Sequence, residues 1–222
     1  MIRKGLLYSL LPLALVVGLG AWGYLVADPA AQFPVHWGPD GQPDRWGGRL
    51  EAFGLMPLVA IAMTALFAVL PLIDPRGQNL RTSGKNYLTA CVAALAMMAL
   101  IQAAMTLGAL GYVDLSGDGF VRMLSGGLGL MFAVVGNVLG KARPNWFAGV
   151  RTPWTLSSDL AWEKTHRLMG RMWVATGLIT LVAAALAPPP IIFALLMTGA
   201  LGSALIAVIY SWQVWRTAPD RR

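Results

Sequence analysis

Six apolar runs, separated by polar segments rich in Gly, Pro and charge, set the pattern of this chain. They cover about residues 5–27, 52–73, 86–109, 119–140, 168–187 and 191–212. Each matches or exceeds the ~20 residues a helix needs to cross the ~30 Å hydrocarbon core of a bilayer. The pattern therefore predicts an all-α integral membrane protein with six transmembrane helices, joined by loops one to five. The first run follows Met1-Ile-Arg-Lys4, which looks like a signal-peptide n-region. The run is longer than the usual ~7–15-residue apolar core of a signal peptide and no Ala-x-Ala site follows, so it reads as a retained helix. Pro57 and Pro71 lie near the ends of the second run, where backbone groups lack helical partners anyway. Pro188-Pro189-Pro190 predicts a stiff turn before the sixth run.

Two loops are longer and more patterned than the rest. Loop one, residues 28–51, holds three Pro and four Gly between Pro34 and Gly48, which forbids a long helix and dictates tight turns. Pro39-Asp40-Gly41 is a good β-turn centre. Trp37 and Trp46 suit the headgroup layer, which accommodates an apolar ring with one N–H donor. Loop four, residues 141–167, belongs to a stretch from Lys141 to Trp173 that carries six of the 17 Lys and Arg residues, four of the nine Trp and one of the two His. From Asn145 to Thr155 the chain is expected to be extended or turned, because Pro144 and Pro153 bias the residues before them away from helix. Gly149 permits a positive φ or a close backbone approach. Trp146, Phe147 and Trp154 are expected at the interface. Ser157 or Ser158 can cap a new helix with Asp159 in its first turn, running unbroken into the fifth span. On that helix Trp162, His166, Met169 and Trp173 share a face. Glu163 and Arg167 form an i,i+4 pair. Lys164, Arg167 and Arg171 make a cationic face that points elsewhere, towards lipid phosphates or an acidic partner.

Composition agrees with the pattern and orients it. Of the residues, 57% are hydrophobic and only 12% charged, with a mean hydropathy of +0.62. A soluble domain carries about 25% charged residues. The net charge of +7 does not call for direct nucleic-acid binding, since basic residues collect in the cytoplasmic loops of bilayer proteins. Even-numbered loops and the two termini hold 14 of the 17 Lys and Arg, and odd-numbered loops with Arg122 hold three. The positive-inside rule then places both termini and loop four in the cytoplasm and loop one outside.

The fourth span contains Ser125-Gly-Gly-Leu-Gly129 and Gly136-Asn-Val-Leu-Gly140, small-xxx-small patterns that let helix backbones approach closely. Packing inside the bundle is the favoured reading and a homodimer seam the alternative. Asn137 and Gln102 are candidates for hydrogen bonds between helices, or, for Asn137, for holding loop four.

The chain shows no Walker A, His-Glu-x-x-His, Gly-x-Ser-x-Gly or dinucleotide fingerprint, so neither an enzyme nor a cofactor is expected. Cys91 lies inside an apolar run and excludes a disulfide framework. His36 with Asp40 and Asp44 is a weak candidate for Zn²⁺, since the intervening Pro and Gly remove any helical phase from the spacing. In loop four the alternatives are an interfacial anchor and a docking surface for a cytoplasmic partner. Arg151 and His166 favour docking, because anchoring requires neither.

Gly136-Asn137, Arg143-Pro-Asn145-Trp146-Phe-Ala-Gly149-Val-Arg151-Thr152-Pro153-Trp154-Thr155 and Trp162-Glu-Lys-Thr165-His166-Arg167-Leu-Met-Gly170 closely resemble the signature of the SdpI family of membrane immunity proteins. Pro34-Val-His36-Trp37, Gly41-Gln-Pro43-Asp44-Arg-Trp46, Pro57 and Pro71-Leu-Ile-Asp74-Pro75-Arg76 resemble the domain of unknown function that usually accompanies it. The resemblance implies a six-span, multi-pass protein of the bacterial cytoplasmic membrane, with an N-terminal two-helix domain, residues 1–85, and a C-terminal four-helix domain, residues 86–222. It implies immunity to a toxic peptide met outside, where His36, Trp37, Gly41, Asp44 and Trp46 lie. It also implies signalling by drawing a transcriptional repressor to the membrane. The partner-binding set would be Asn137, Asn145, Trp146, Gly149, Arg151, Thr152, Trp154, Trp162, His166 and Arg167. A transporter or lipid-handling protein is the alternative, disfavoured because the spans carry no mid-membrane charge.

Overall fold

The computed structural model describes residues 2–221, and the side chains of all of these except residues 2–6 and Lys85. The basic start Met1–Lys4, Lys85 and Arg222, all counted in the orientation argument, fall outside the described side chains.

Six helices are long and apolar enough to cross a membrane. They belong to α1 (Ile2–Val26), α2 (Arg49–Ile73), α4 (Gly84–Ala109), α5 (Asp118–Leu139), α7 (Asp159–Leu186) and α8 (Pro189–Arg216). Two short helices, α3 (Gly77–Thr82) and α6 (Pro153–Leu156), lie in loops two and four. The outward faces expose Leu58, Leu186, Leu201 and Leu205, while the core keeps Val16, Ala60, Cys91 and Leu95. Large apolar residues facing out all round suit hydrocarbon as solvent. The chain is a multi-pass membrane protein.

The structure corrects the all-α expectation in one place. Loop one is shorter than 28–51, because α2 already begins at Arg49, and it contains a two-stranded antiparallel hairpin, β1 (Phe33–Trp37) and β2 (Pro43–Gly47). The expected turn closes it: Gly41 N–H donates to the Gly38 carbonyl at 3.0 Å, and Gly41 takes φ +83°. Pro39 at the second turn position and Gly at the left-handed position suit this geometry. Phe33 packs edge-on against Phe53, and Trp37 packs on Phe120 with ring centroids 4.6 Å apart. Trp37 also donates its indole N–H to the Leu115 carbonyl at 2.7 Å. Trp37 therefore faces the bundle rather than the headgroup layer; Trp46 remains exposed.

Smaller differences have local causes. Pro189 and Pro190 open α8 instead of forming a separate turn, since Pro lacks only an N–H that the first helical turn leaves unpaired. Pro153 likewise starts the single turn of α6 inside a segment expected to be extended or turned. Thr152 before it is extended, as a residue preceding Pro should be.

The α5–α7 pair is the most extensive helix contact, and α4 packs chiefly along α1 and secondarily on α5. Two glycines of α5 pack inside the chain, Gly129 and Gly136 against Gly177 and Gly170 of α7. Arg122 at the start of α5 donates to the Ala184 carbonyl at the end of α7, where a cation favours the helix dipole.

Candidate functional site

Loops two and four and the C-terminal tail converge on one face of the bundle. Loop four folds first around Asn145, which is buried. Its amide oxygen accepts from the N–H groups of Phe147 (3.0 Å) and Ala148 (2.7 Å), and its NH₂ donates to the carbonyls of Arg143 (3.0 Å) and Ala148 (3.1 Å). One amide thus satisfies four backbone groups of a turn that has no regular structure to do so. Loop two supplies the floor. Asp74 accepts from Arg76 N–H (2.6 Å) and from Trp146 N–H (3.0 Å), Asn79 donates to the Pro144 carbonyl (2.8 Å), and Ser83 accepts from Arg143 N–H (3.2 Å). Arg76 reaches the Leu156 carbonyl and Asp159.

The second half of the loop is held by α7. His166 is fully buried and its ring stacks on Trp162 with centroids 4.0 Å apart. Nε2 accepts from Val150 N–H at 2.9 Å and Nδ1 lies 2.8 Å from the Trp162 carbonyl. A carbonyl only accepts and an N–H only donates, so Nδ1 carries the proton and the imidazole is neutral. Gly149 passes over this ring with φ +110°. Trp162 donates its indole N–H to the Ala142 carbonyl at 2.8 Å. Thr152 and Thr155 form a reciprocal capping box on α6, and the Thr152 hydroxyl lies 3.0 Å from that of Ser211 on α8.

Asp220 in the tail caps α7, accepting from the Ser158 hydroxyl (2.7 Å) and Leu160 N–H (3.1 Å). Those two donors hold its carboxyl below the usual carboxylate range. A depressed pKa stabilises the docked tail above the unfolded value, and that stability is lost as pH falls through the folded one. Acidification is expected to reduce the protection of the Leu160 amide, measured against its intrinsic exchange rate at each pH, in wild type, while in Asp220→Ala protection is low at every pH; hydrogen exchange with mass spectrometry reads both.

The residues expected to bind a partner thus divide. Asn145, Thr152, Trp162 and His166 are buried and build the loop, so His166 is not displayed to a partner. The shared face of Trp162, His166, Met169 and Trp173 is present, but it faces inward. Trp146, Phe147, Arg151 and Arg167 are exposed, Trp154 is half-buried, and Arg167 pairs with Glu163. Asn137 is exposed and takes no part in the hydrogen bonds that hold the loop; Gln102 is fully buried, with no hydrogen-bond partner among the described residues. Asp74, Asn79 and Ser83, which hold loop four, and Asp220, which caps α7, are not among the residues expected to form this site. Only Asp74 carried a signal, standing in the Pro71–Arg76 cluster.

On the opposite face the hairpin tip presents exposed His36 with Nδ1 2.6 Å from Asp44. Asp40 turns away to accept from Gln42 N–H at 3.0 Å. Among the described residues no group of three His, Cys, Asp or Glu side chains converges to hold a metal.

Comparison with known proteins bears out the resemblance. Residues 141–211 match the SdpI/YfhL protein family, and residues 10–61 match a domain of unknown function (DUF1648). The first match covers loop four, α7 and most of α8. The second covers most of α1, the hairpin and the first half of α2. The chain is 24% identical over 147 residues to the immunity protein SdpI of Bacillus subtilis (strain 168), covering 65% of this chain and 69% of that protein. No solved structure matches.

Proposed function

We propose that this membrane protein, which carries the SdpI/YfhL family region, protects a bacterial cytoplasmic membrane against a toxic peptide. The hairpin faces outside and loop four faces the cytoplasm. The observation that carries the reading is the paired match, of the SdpI/YfhL region and its companion domain, to a chain whose relative is an immunity protein. The charge asymmetry of the loops supports the orientation.

The hairpin side is furnished for an apolar peptide. A cavity of about 240 Å³ opens between β1, α2 and α4, walled by Trp37, Met56, Met98 and Met105, with the Arg45–Glu51 ion pair at its rim. Flexible Met walls adapt to varied side chains. Exposed Trp46 lies on the neighbouring strand. In a strain sensitive to secreted toxic peptides, expression of the chain is expected to raise the lethal dose, and Met56→Trp, which fills the cavity, to lower it about tenfold relative to wild type. Unchanged killing by every peptide tried, at confirmed membrane levels of the protein, removes the proposal.

Loop four supplies the inward signal in the same reading, by recruiting a transcriptional repressor through Trp146, Phe147, Arg151 and Arg167. Arg151 holds the Trp146 carbonyl only at 3.4 Å, so its removal should spare the loop fold. Arg151→Glu is expected to abolish co-purification of the repressor and leave protection intact.

A further inference from the structure

A groove of about 910 Å³ runs between α4 and α5 on the lipid-facing side of the bundle, with Tyr8 of α1 at its edge. One wall is a single face of α4: Gly84, Leu88, Val92, Ala96 and Leu100. The other is Gly127, Leu130, Met131 and Val134 of α5. From Gly84 to Leu100 the wall is about 24 Å long at 1.5 Å per residue. That length is more than half of the ~30 Å hydrocarbon core. The groove therefore starts at the loop-two and loop-four face and is deep enough for acyl chains of one leaflet.

The mouth of the groove is cationic. Lys141 lies two residues past the end of α5, the helix whose Val134 walls the groove nearest this face. Arg143 sits beside the other wall, because its N–H donates to Ser83, the residue before Gly84. Both side chains are exposed, and neither has a hydrogen-bond or ion-pair partner among the described residues. The two segments that meet here, residues 74–85 and 139–147, carry Arg76, Arg81, Lys85, Lys141 and Arg143 against one acid, Asp74, which is buried and bonded to the N–H groups of Arg76 and Trp146; Arg76 is itself paired with Asp159. An apolar slot ending in unpaired cations is complementary to an amphiphile with an anionic head.

We infer that the α4–α5 groove is a binding site for an anionic phospholipid, with acyl chains along Leu88, Val92, Leu100 and Leu130 and the phosphate between Lys141 and Arg143. The site is separate from the toxin cavity and from the exposed rim of loop four, and it does not rest on the immunity reading.

The test uses full-length protein reconstituted in nanodiscs of mixed phosphatidylglycerol and phosphatidylcholine, then released for native mass spectrometry. Wild type is expected to retain phosphatidylglycerol selectively. Lys141→Gln/Arg143→Gln, both at exposed positions, is expected to reduce that selectivity about tenfold, since each basic residue at a membrane surface contributes to anionic-lipid attraction. Ala96→Trp, which fills the groove, is expected to lower retention of both lipids while circular dichroism stays helical. Selectivity unchanged in the double variant overturns the inference. So does a lipid-free wild type, or a dimer that Ala96→Trp breaks, since a second copy would then occupy the groove.

Discussion

Gly149→Ala is expected to release loop four from the bundle. Two separate effects act at this position. The backbone has φ +110°, which a residue with a Cβ adopts only at a cost of about 1–3 kcal/mol. The new Cβ would also lie 2.1 Å from Nε2 of His166, well inside van der Waals contact. The ring cannot step aside cheaply, being bonded to the Trp162 carbonyl and stacked on the Trp162 indole. If it moves, Val150 N–H loses its acceptor, at about 1–3 kcal/mol for a buried group. Together these predict a loss of about 3 kcal/mol or more in the closed loop, roughly a hundredfold rise in its open population. Hydrogen exchange at the Val150 amide and limited proteolysis between Trp146 and Thr152 both read that rise. A double-mutant cycle separates the effects: in Gly149→Ala/His166→Ala the clash is gone and only the backbone cost and lost bond remain. The combined loss should therefore be smaller than the sum of the single ones. Additive losses, or unchanged Val150 protection in Gly149→Ala, would show that Gly149 and His166 do not touch.

The same pair of residues marks what the sequence discloses and what it withholds. The six spans are legible because hydrocarbon imposes a minimum length and excludes charge, two constraints that act residue by residue. The unbroken helix from Asp159 is legible for a local reason too, since Ser158 caps it and no Pro interrupts the run to Ala187. The face shared by Trp162 and His166 follows from helical period alone. Which way that face points does not, because the partner that buries His166 is Val150, in a loop of no regular period. A buried His and a displayed His have the same spacing. Loop two's role is hidden for a related reason: the bond from Trp146 N–H to Asp74 joins positions 72 residues apart. The hairpin was half visible. Its turn residues are specific, but strands of five residues containing Pro34 and Pro43, with an irregular register, present no clean alternation.

Gly177→Val is expected to unseat α7 from α5 and to lower thermal stability more than any single change on the lipid-facing surface. The two helices run antiparallel and meet backbone to backbone at two points, two turns apart. At one, a Cβ on Gly136 would lie 2.8 Å from the Gly170 carbonyl, and one on Gly170 would lie 2.6 Å from the Gly136 carbonyl. At the other, a Cβ on Gly177 would lie 2.4 Å from the Gly129 carbonyl and 2.6 Å from Ala133 N. The obstructing atoms are backbone, so no rotamer change relieves the contact. The helices must separate, and in lipid, where association rests on close packing, separation forfeits most of what holds them. Overpacking of this kind costs about 1–3 kcal/mol or more. α7 also carries the His166 clamp, so a shift along the seam should loosen loop four as well. Gly202→Ala on α8 is the control: a Cβ there meets nothing within 4 Å, and Ala is the better helix former by about 1 kcal/mol. Melting of the purified protein in detergent should then rank Gly177→Val well below wild type and Gly202→Ala level with it or above. If Gly177→Val instead melts like wild type but changes the mass of the particle, the glycines line a seam between two chains rather than one within a single chain.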